Sequence, residues 1–286
     1  MVGPPGPTRP SSFSSVHFHL FLNIVTVFKK GKRVTLKLDP IIQIVRSIFV
    51  DITSKSNPIN HLIIGASRGI GRALVKKSLD AGNQVYALSR SAPEGNKEEC
   101  HWISADGTKP DTYLESLPER IHALTFCPGK VILGPVKRLK IEQMMEAYQT
   151  SVLDAFVVIQ SLLPRLEGSV TLLSSVAARS GLPNHCAISA AKSALEGFAI
   201  ALAADLAPKV RVNVVAPTLT PTEMGTAMVG GEKMLPMIEG RHPLKKIPAV
   251  EEIASTIAFL HSEAASSITG QILKVDAGLS RLRLNS

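Results

Sequence analysis

Gly65-Ala66-Ser67-Arg68-Gly69-Ile70-Gly71 places three glycines at a spacing suited to holding a phosphate group. One glycine permits a tight turn, another lets the backbone approach a diphosphate closely, and the third allows tight helix–strand packing. The apolar run His61–Ile64 precedes the loop, and a helical pattern over Ile70–Ala81 follows it and stops at Gly82. A helix opening at Gly71 offers unpaired N–H groups and the positive end of its dipole to an anion. Ser67, Arg68 and Ile70 fill the loop and join the candidate contacts. A purely structural turn can show the same spacing; the strand before and the helix after it favour the binding reading.

The next apolar run, Gln84–Leu88, leads into Ser89-Arg90. A carboxylate here would bond a ribose 2′-hydroxyl. No acid is present, and the Arg90 guanidinium suits a 2′-phosphate instead. The expected cofactor is therefore NADP(H) in preference to NAD(H), with Arg68 as a second cation. The plainer alternative for Arg90 is a solvated loop charge. Asp106 follows the third strand candidate, His101–Ser104, and either accepts a bond from an adenine amine or caps a turn with Gly107.

These residues need a scaffold, and the remaining pattern supplies one. Strand candidates recur at Ile121–Phe126, Ser169–Leu173, Val210–Val215 and Ile272–Val275. Helical patterns lie between them at Ile141–Leu163 (halted by Pro164), Ala187–Ala204 and Glu251–Leu260. Alternating apolar strands and helices predict a parallel sheet covered on both faces. The expected fold class is α/β: a single doubly wound Rossmann-fold domain over residues 60–286.

Residues 1–59 read differently. They begin Pro/Gly/Ser-rich, a composition that predicts poor order. Val16–Phe28 and Ile41–Ile52 are apolar but too short to span a bilayer, so stable membrane insertion is not expected. The cluster at Lys29, Lys30, Lys32 and Arg33 follows the first apolar run, the reverse of a secretory signal. The absence of acids before Asp39 and the serines at 11, 12, 14 and 15 loosely fit a transit segment. The expected location is the cytoplasm. The alternative is an organelle, mitochondrion or plastid, if the extension is a targeting segment; an extension without function, from a misassigned start codon, is the bland reading.

The net charge of +9 belongs mostly to that extension. Residues 1–60 hold eight Lys/Arg against two acids, and the rest holds 24 against 21. A nearly balanced body leaves no electrostatic footprint for nucleic acid. Cys100, Cys127 and Cys186 stand far apart, which excludes a disulfide scaffold and a cysteine-based zinc ribbon. No metal site is expected.

Over residues 60–282 the chain resembles the short-chain dehydrogenase/reductase family. The Gly65…Gly71 loop has its Gly-xxx-Gly-x-Gly spacing. Val170–Ser175 resembles its serine-bearing strand and Ala187–Lys192 its Tyr-xxx-Lys helix. Val212-Asn213-Val214-Val215-Ala216-Pro217 through Thr222 resembles the segment flanking the nicotinamide, and Thr269–Gly278 the C-terminal signature. The resemblance implies hydride transfer between NAD(P)H and a carbonyl or alcohol, a sheet of seven strands, and a homodimer or homotetramer built on the long helices. It implies that Ser175 positions the carbonyl oxygen and that Lys192 holds the nicotinamide ribose. Ser151 falls at the position of a water-ordering asparagine, and Cys127-Pro128-Gly129 at an Asn-Ala-Gly turn, with Gly129, Pro217 and Thr222 against the cofactor.

The family's general acid is a tyrosine four residues before the lysine. Here that position holds Ile188, which has no exchangeable proton. Losing a general acid typically forfeits about 10²–10⁴ in rate. Tyr86, Tyr113 and Tyr148 lie elsewhere in the pattern, and His185 is the best substitute acid. Leu219–Lys246 occupies the substrate-covering segment and holds Met224, Met228, Met234 and Met237 around Gly230-Gly231, which suits a small apolar ligand. Two functions follow as expectations. One is an NADP(H)-dependent oxidoreductase with an altered proton donor, acting on an apolar carbonyl, alcohol or enone. The other is a catalytically inactive NADP(H)-binding pseudoenzyme serving as sensor or partner subunit. A structural oligomer component without nucleotide is a weaker third.

Overall fold

The computed structural model describes residues 24–29, 32–37, 58–92 and 100–284. Contacts divide the chain between Lys55 and Ser56. In the first unit β1 (Ile24–Lys29) pairs antiparallel with β2 (Lys32–Lys37), where the composition predicted no element. Apart from residues 58 and 59, the other residues of the extension lie outside the described residues, including most of the two apolar stretches read above.

The second unit opens with β3 (Asn60–Ile64), α1 (Gly69–Asp80), β4 (Gln84–Ser89), β5 (His101–Ser104) and β6 (Ile121–Phe126). It continues with α2 (Ile141–Tyr148), a π-helical turn over Gln149–Leu153, and α3 (Asp154–Leu162). Then come β7 (Leu166–Leu173), α4 (Cys186–Leu206), β8 (Val210–Pro217), α5 (Glu223–Met228), α6 (Leu235–Glu239), α7 (Val250–His261) and β9 (Ile272–Val275).

Seven strands form one parallel sheet in the order β5-β4-β3-β6-β7-β8-β9. This is the doubly wound arrangement expected from the strand–helix alternation. The strand order reverses between β3 and β6, so a crevice opens at their carboxyl ends, the usual ligand position in such sheets. Side chains alternate across the sheet. Leu62, Ile64, Leu124, Phe126, Val212 and Val214 point to one face, packed with α3 and α4. Ile63, Ala87, Leu173 and Val215 point to the other, under α1 and α7.

Two departures from the sequence pattern have local causes. The helix expected over residues 141–163 is broken in hydrogen-bond register at Gln149–Leu153, a π-bulge of the kind often found at functional sites. Strand β7 starts three residues before the expected Ser169 because Gly168 absorbs a register shift at φ 96°, where a Cβ would sit 2.5 Å from the His122 carbonyl oxygen. Helix α4 is long and apolar enough to cross a bilayer by length and composition. It is instead a core helix, with Leu195, Ala199 and Ala203 packed in the core.

Candidate functional site

The crevice at the carboxyl ends of β3 and β6 is a cleft of about 1880 Å³. Its floor is the glycine loop. Gly65 and Gly69 adopt φ of +81° and +54°, and a Cβ on Gly71 would lie 2.2 Å from the Gly65 carbonyl oxygen. Only glycine fits at Gly71 without forcing the loop apart. Arg68 is the N-cap of α1, its side chain makes no capping bond, and the first turn carries no acid. The opening N–H groups of α1 therefore lack a side-chain acceptor, which leaves them for an external anion. The cradle fits a dinucleotide diphosphate.

Ser67, Ile70, Ser89 and Arg90 line the same cleft. Ser89 Oγ donates to the Ser91 carbonyl at 2.7 Å, so this hydroxyl is committed locally. Among the described residues the Arg90 guanidinium has no ion-pair partner. Arg68 does have one: its Nη1 lies 3.1 Å from Glu223 Oε2. Asp106 shows the turn-capping contacts, accepting bonds from the Thr108 N–H (3.0 Å) and hydroxyl (2.9 Å) at Oδ1. Those bonds hold its carboxyl below the usual range.

At the inner end, Lys192 and Ile188 stand one turn apart on α4, and both line the cleft with Ser175. Lys192 is buried, and its Nζ donates to the Leu173 carbonyl at 2.7 Å. Burial lowers the ammonium to about 8, partly opposed by the nearby Cys127 sulfur. Burial likewise pushes the Cys127 thiol up to about 12. A Cβ on Gly129 would come within 3.2 Å of Lys192 Nζ, so glycine there gives the ammonium room. Ser175 caps a short 3₁₀ turn, its Oγ accepting the Ala177 N–H at 3.2 Å.

The wall that carries Ser175 is tied to α4 by groups the sequence pattern did not single out. Glu196 is fully buried; its carboxylate accepts from Ser174 Oγ at 2.8 Å and from Arg179 Nε at 2.8 Å. Ser193 Oγ donates to the Ala178 carbonyl at 2.6 Å. Glu196 lies one turn beyond Lys192, a spacing that could have flagged it, but its partners come from another element.

Ser151 sits in the π-turn, fully buried, and its Oγ has no hydrogen-bond partner. Its neighbour Thr150 lines the cleft; Ser151 itself does not. None of the three tyrosines lines it either. Tyr86 stacks on His101, Tyr113 donates to the Gly107 carbonyl from the core, and Tyr148 is exposed. His185 does line the cleft beside Ile188. Its Nδ1 lies 2.6 Å from the Pro183 carbonyl, which assigns the proton to that nitrogen and leaves Nε2 open.

Pro217 ends β8 on the cleft wall, and Thr222 caps α5 within the covering segment, its Oγ1 accepting the Gly225 N–H at 3.0 Å. Met224, Met228, Val229 and Ile238 give this side an apolar surface. His242, though buried, also lines the cleft, with Nε2 bonded to Thr218 Oγ1 and Nδ1 to the Ile238 carbonyl. Among the described residues no cluster of three or more His, Cys, Asp or Glu is placed to hold a metal ion.

The arrangement has known relatives. Residues 65–280 match the protein family described as enoyl-(acyl carrier protein) reductase. The chain is 31% identical over 235 residues to L-xylulose reductase of Bos taurus, covering 76% of this chain and 94% of that protein. It is 30% identical over 237 residues to a 3-oxoacyl-[acyl-carrier-protein] reductase of Salmonella typhimurium, at 76% and 96% coverage. It is 28% identical over 295 residues to a chloroplastic tropinone reductase homolog of Arabidopsis thaliana, at 94% and 91% coverage. The fold superposes on the ligand-free aldohexose dehydrogenase of Thermoplasma acidophilum with a TM-score of 0.74, at 27% identity, covering 80% of this chain and 97% of that one. With its glycine cradle, buried lysine and seven-stranded sheet, the chain belongs to the short-chain dehydrogenase/reductase family of oxidoreductases.

Proposed function

We propose that the protein is an NADP(H)-dependent oxidoreductase that reduces a small apolar enone or carbonyl, or oxidises the corresponding alcohol, without a tyrosine proton donor. The observation that carries this reading is the pairing of Lys192 with Ile188: the ribose-holding lysine is kept, buried and poised, while the general-acid position is apolar. The glycine cradle would hold the diphosphate, Arg90 the 2′-phosphate, and Lys192 the nicotinamide ribose, with Gly129, Pro217 and Thr222 lining the same channel. When bound, the cofactor supplies or accepts a hydride.

The chain's own groups then decide what can be reduced. Ile188 gives no proton, so a ketone oxygen placed against it develops charge without a donor. A conjugated enone suits the site better, since hydride delivered to carbon leaves an enolate that Ser175 Oγ and the Lys192 ammonium can steady. Water admitted past His185, or Nε2 of the doubly protonated His185 ring, then returns the proton. Met224, Met228 and Ile238 exclude water from the apolar part of the substrate.

Exposed Ile141, Met145 and Phe156 on α2 and α3, with Ile200 on α4, support a homodimer or homotetramer built on these helices. The location is read as the cytoplasm, with an organelle as the alternative that the basic bias of the extension and the chloroplastic description of one relative support. A panel of enones, ketones and alcohols tests the function: oxidation of NADPH by an enone at a rate above that of any saturated ketone supports it. Tight NADPH binding with no turnover of any panel member favours the second reading, an inactive NADP(H)-binding sensor or partner subunit; the missing donor at Ile188 is the observation behind that reading.

A further inference from the structure

We propose that Glu223 is a cofactor-selectivity residue that lowers the preference for NADPH by competing with the 2′-phosphate for Arg68. The inference rests on the NADP(H) reading above and deepens it. Four acids line the cleft: Asp106, Glu146, Asp154 and Glu223. Three form no ion pair with either cofactor cation. Asp106 is held by Thr108, Glu146 pairs with Lys130, and Asp154 accepts from Gln149 Nε2 at 2.9 Å. Glu223 alone binds a glycine-loop cation, reaching from the first turn of α5 to Arg68 Nη1 at 3.1 Å.

The two segments are in close approach at this point. A Cβ on Gly69 would lie 3.2 Å from Thr222 Cγ2, so the glycine loop and the start of α5 touch beside the ion pair. Of the two cations offered to a 2′-phosphate, Arg90 forms no ion pair among the described residues, though the Asp106 carboxylate acts on it at longer range, whereas Arg68 is already paired. A phosphate dianion taking Arg68 must displace the Glu223 carboxylate or bind beside it against like-charge repulsion. NADH, with a 2′-hydroxyl, meets no such competition. Both side chains of the pair are mostly exposed, at 63% and 76%, so the effect is modest and screened by salt.

The test is a fluorescence titration of the full chain with NADPH and, separately, NADH, for wild type, Glu223→Gln, Arg68→Gln and the double variant at low salt. Glu223→Gln is expected to tighten NADPH by about two- to fivefold, to leave NADH unchanged, and to have no effect in the Arg68→Gln background. The gain should vanish in ~1 M salt, where the Debye length falls to about 3 Å. Weaker NADPH binding by Glu223→Gln, equal shifts for both cofactors, or the same shift without Arg68 would each overturn the proposal while leaving the NADP(H) reading intact. A wild type that binds NADH but not NADPH overturns the reading itself, and the proposal with it.

Discussion

Ile188 and Lys192 stand one helical turn apart on the same buried face of Cys186–Leu206, an apolar side chain directly preceding a desolvated ammonium at the inner end of the cleft. On the proposed function the pair separates two roles that a neighbouring tyrosine would join: Lys192 grips the nicotinamide ribose, and Ile188 offers a carbonyl oxygen no proton.

Replacing Ile188 with tyrosine should therefore restore ketone reduction. The rate with a saturated ketone is expected to rise by about 10²-fold or more, the usual contribution of a general acid, with NADPH affinity changed less than twofold. Steady-state kinetics and cofactor titration check both halves. An unchanged ketone rate in a folded Ile188→Tyr variant would show that the pocket is not arranged for such a donor.

Lys192→Met should weaken NADPH binding at least tenfold and yet stabilise the free protein near neutral pH. The ammonium is lowered from 10.5 to about 8, so between those values the unfolded chain binds a proton that the folded chain does not. Stability thus rises with pH across that window, and below pH 8 the full penalty is present. Removing the charge should gain about 1–3 kcal/mol at pH 7, less the lost bond to Leu173, and the gain should disappear above pH 10.5. Denaturant melts of both proteins at several pH values test this.

Much of this geometry was legible in the chain itself. The apolar runs marked every strand of the parallel sheet, and the glycine loop announced the cradle because its three glycines answer to local backbone constraints. Residues whose roles depend on distant partners were not legible. Glu196 reads as an ordinary helix-surface acid until β7 brings Ser174 and Arg179 against it. The Arg68–Glu223 pair joins residues 155 positions apart, and no local pattern encodes that. The π-turn at Gln149–Leu153 also left no mark on the apolar periodicity, which runs on through α3.

His61 and His261 form the other such long-range feature. Thr125 Oγ1 bridges the two Nε2 atoms at 2.9 and 2.8 Å, while Ser78 and Ser169 hold the Nδ1 atoms. Burial lowers His61 to about 3 and His261 well below its usual value. Below pH 6.5 the unfolded chain takes up protons that these folded rings refuse, so stability must fall with acid by up to about 1.4 kcal/mol per pH unit for each ring. Urea melts between pH 7 and 4.5 should show this slope, and His61→Gln should reduce it. A wild-type stability independent of pH over that range would contradict the neutral buried pair.

Glu196→Ala should cost about 1–3 kcal/mol, because Ser174 Oγ loses its buried acceptor and Arg179, about half exposed, loses its partner. Glu196→Gln should recover part of the loss, since an amide oxygen still accepts from Ser174. Thermal or urea unfolding of the two variants orders them: alanine below glutamine below wild type. Equal stability of all three would remove Glu196 from the account of how the Ser175 wall is held.

On the proposed function the glycine loop at the head of α1 grips the diphosphate of NADP(H). Calorimetric titration of the full chain with NADPH, alongside a folded Gly71→Ala variant, tests it most directly. Micromolar binding by the wild type and a loss of at least about tenfold in the variant are expected, since a Cβ there must push against the Gly65 carbonyl oxygen. Absence of NADPH binding at millimolar concentration, or equal binding by the variant, would contradict it.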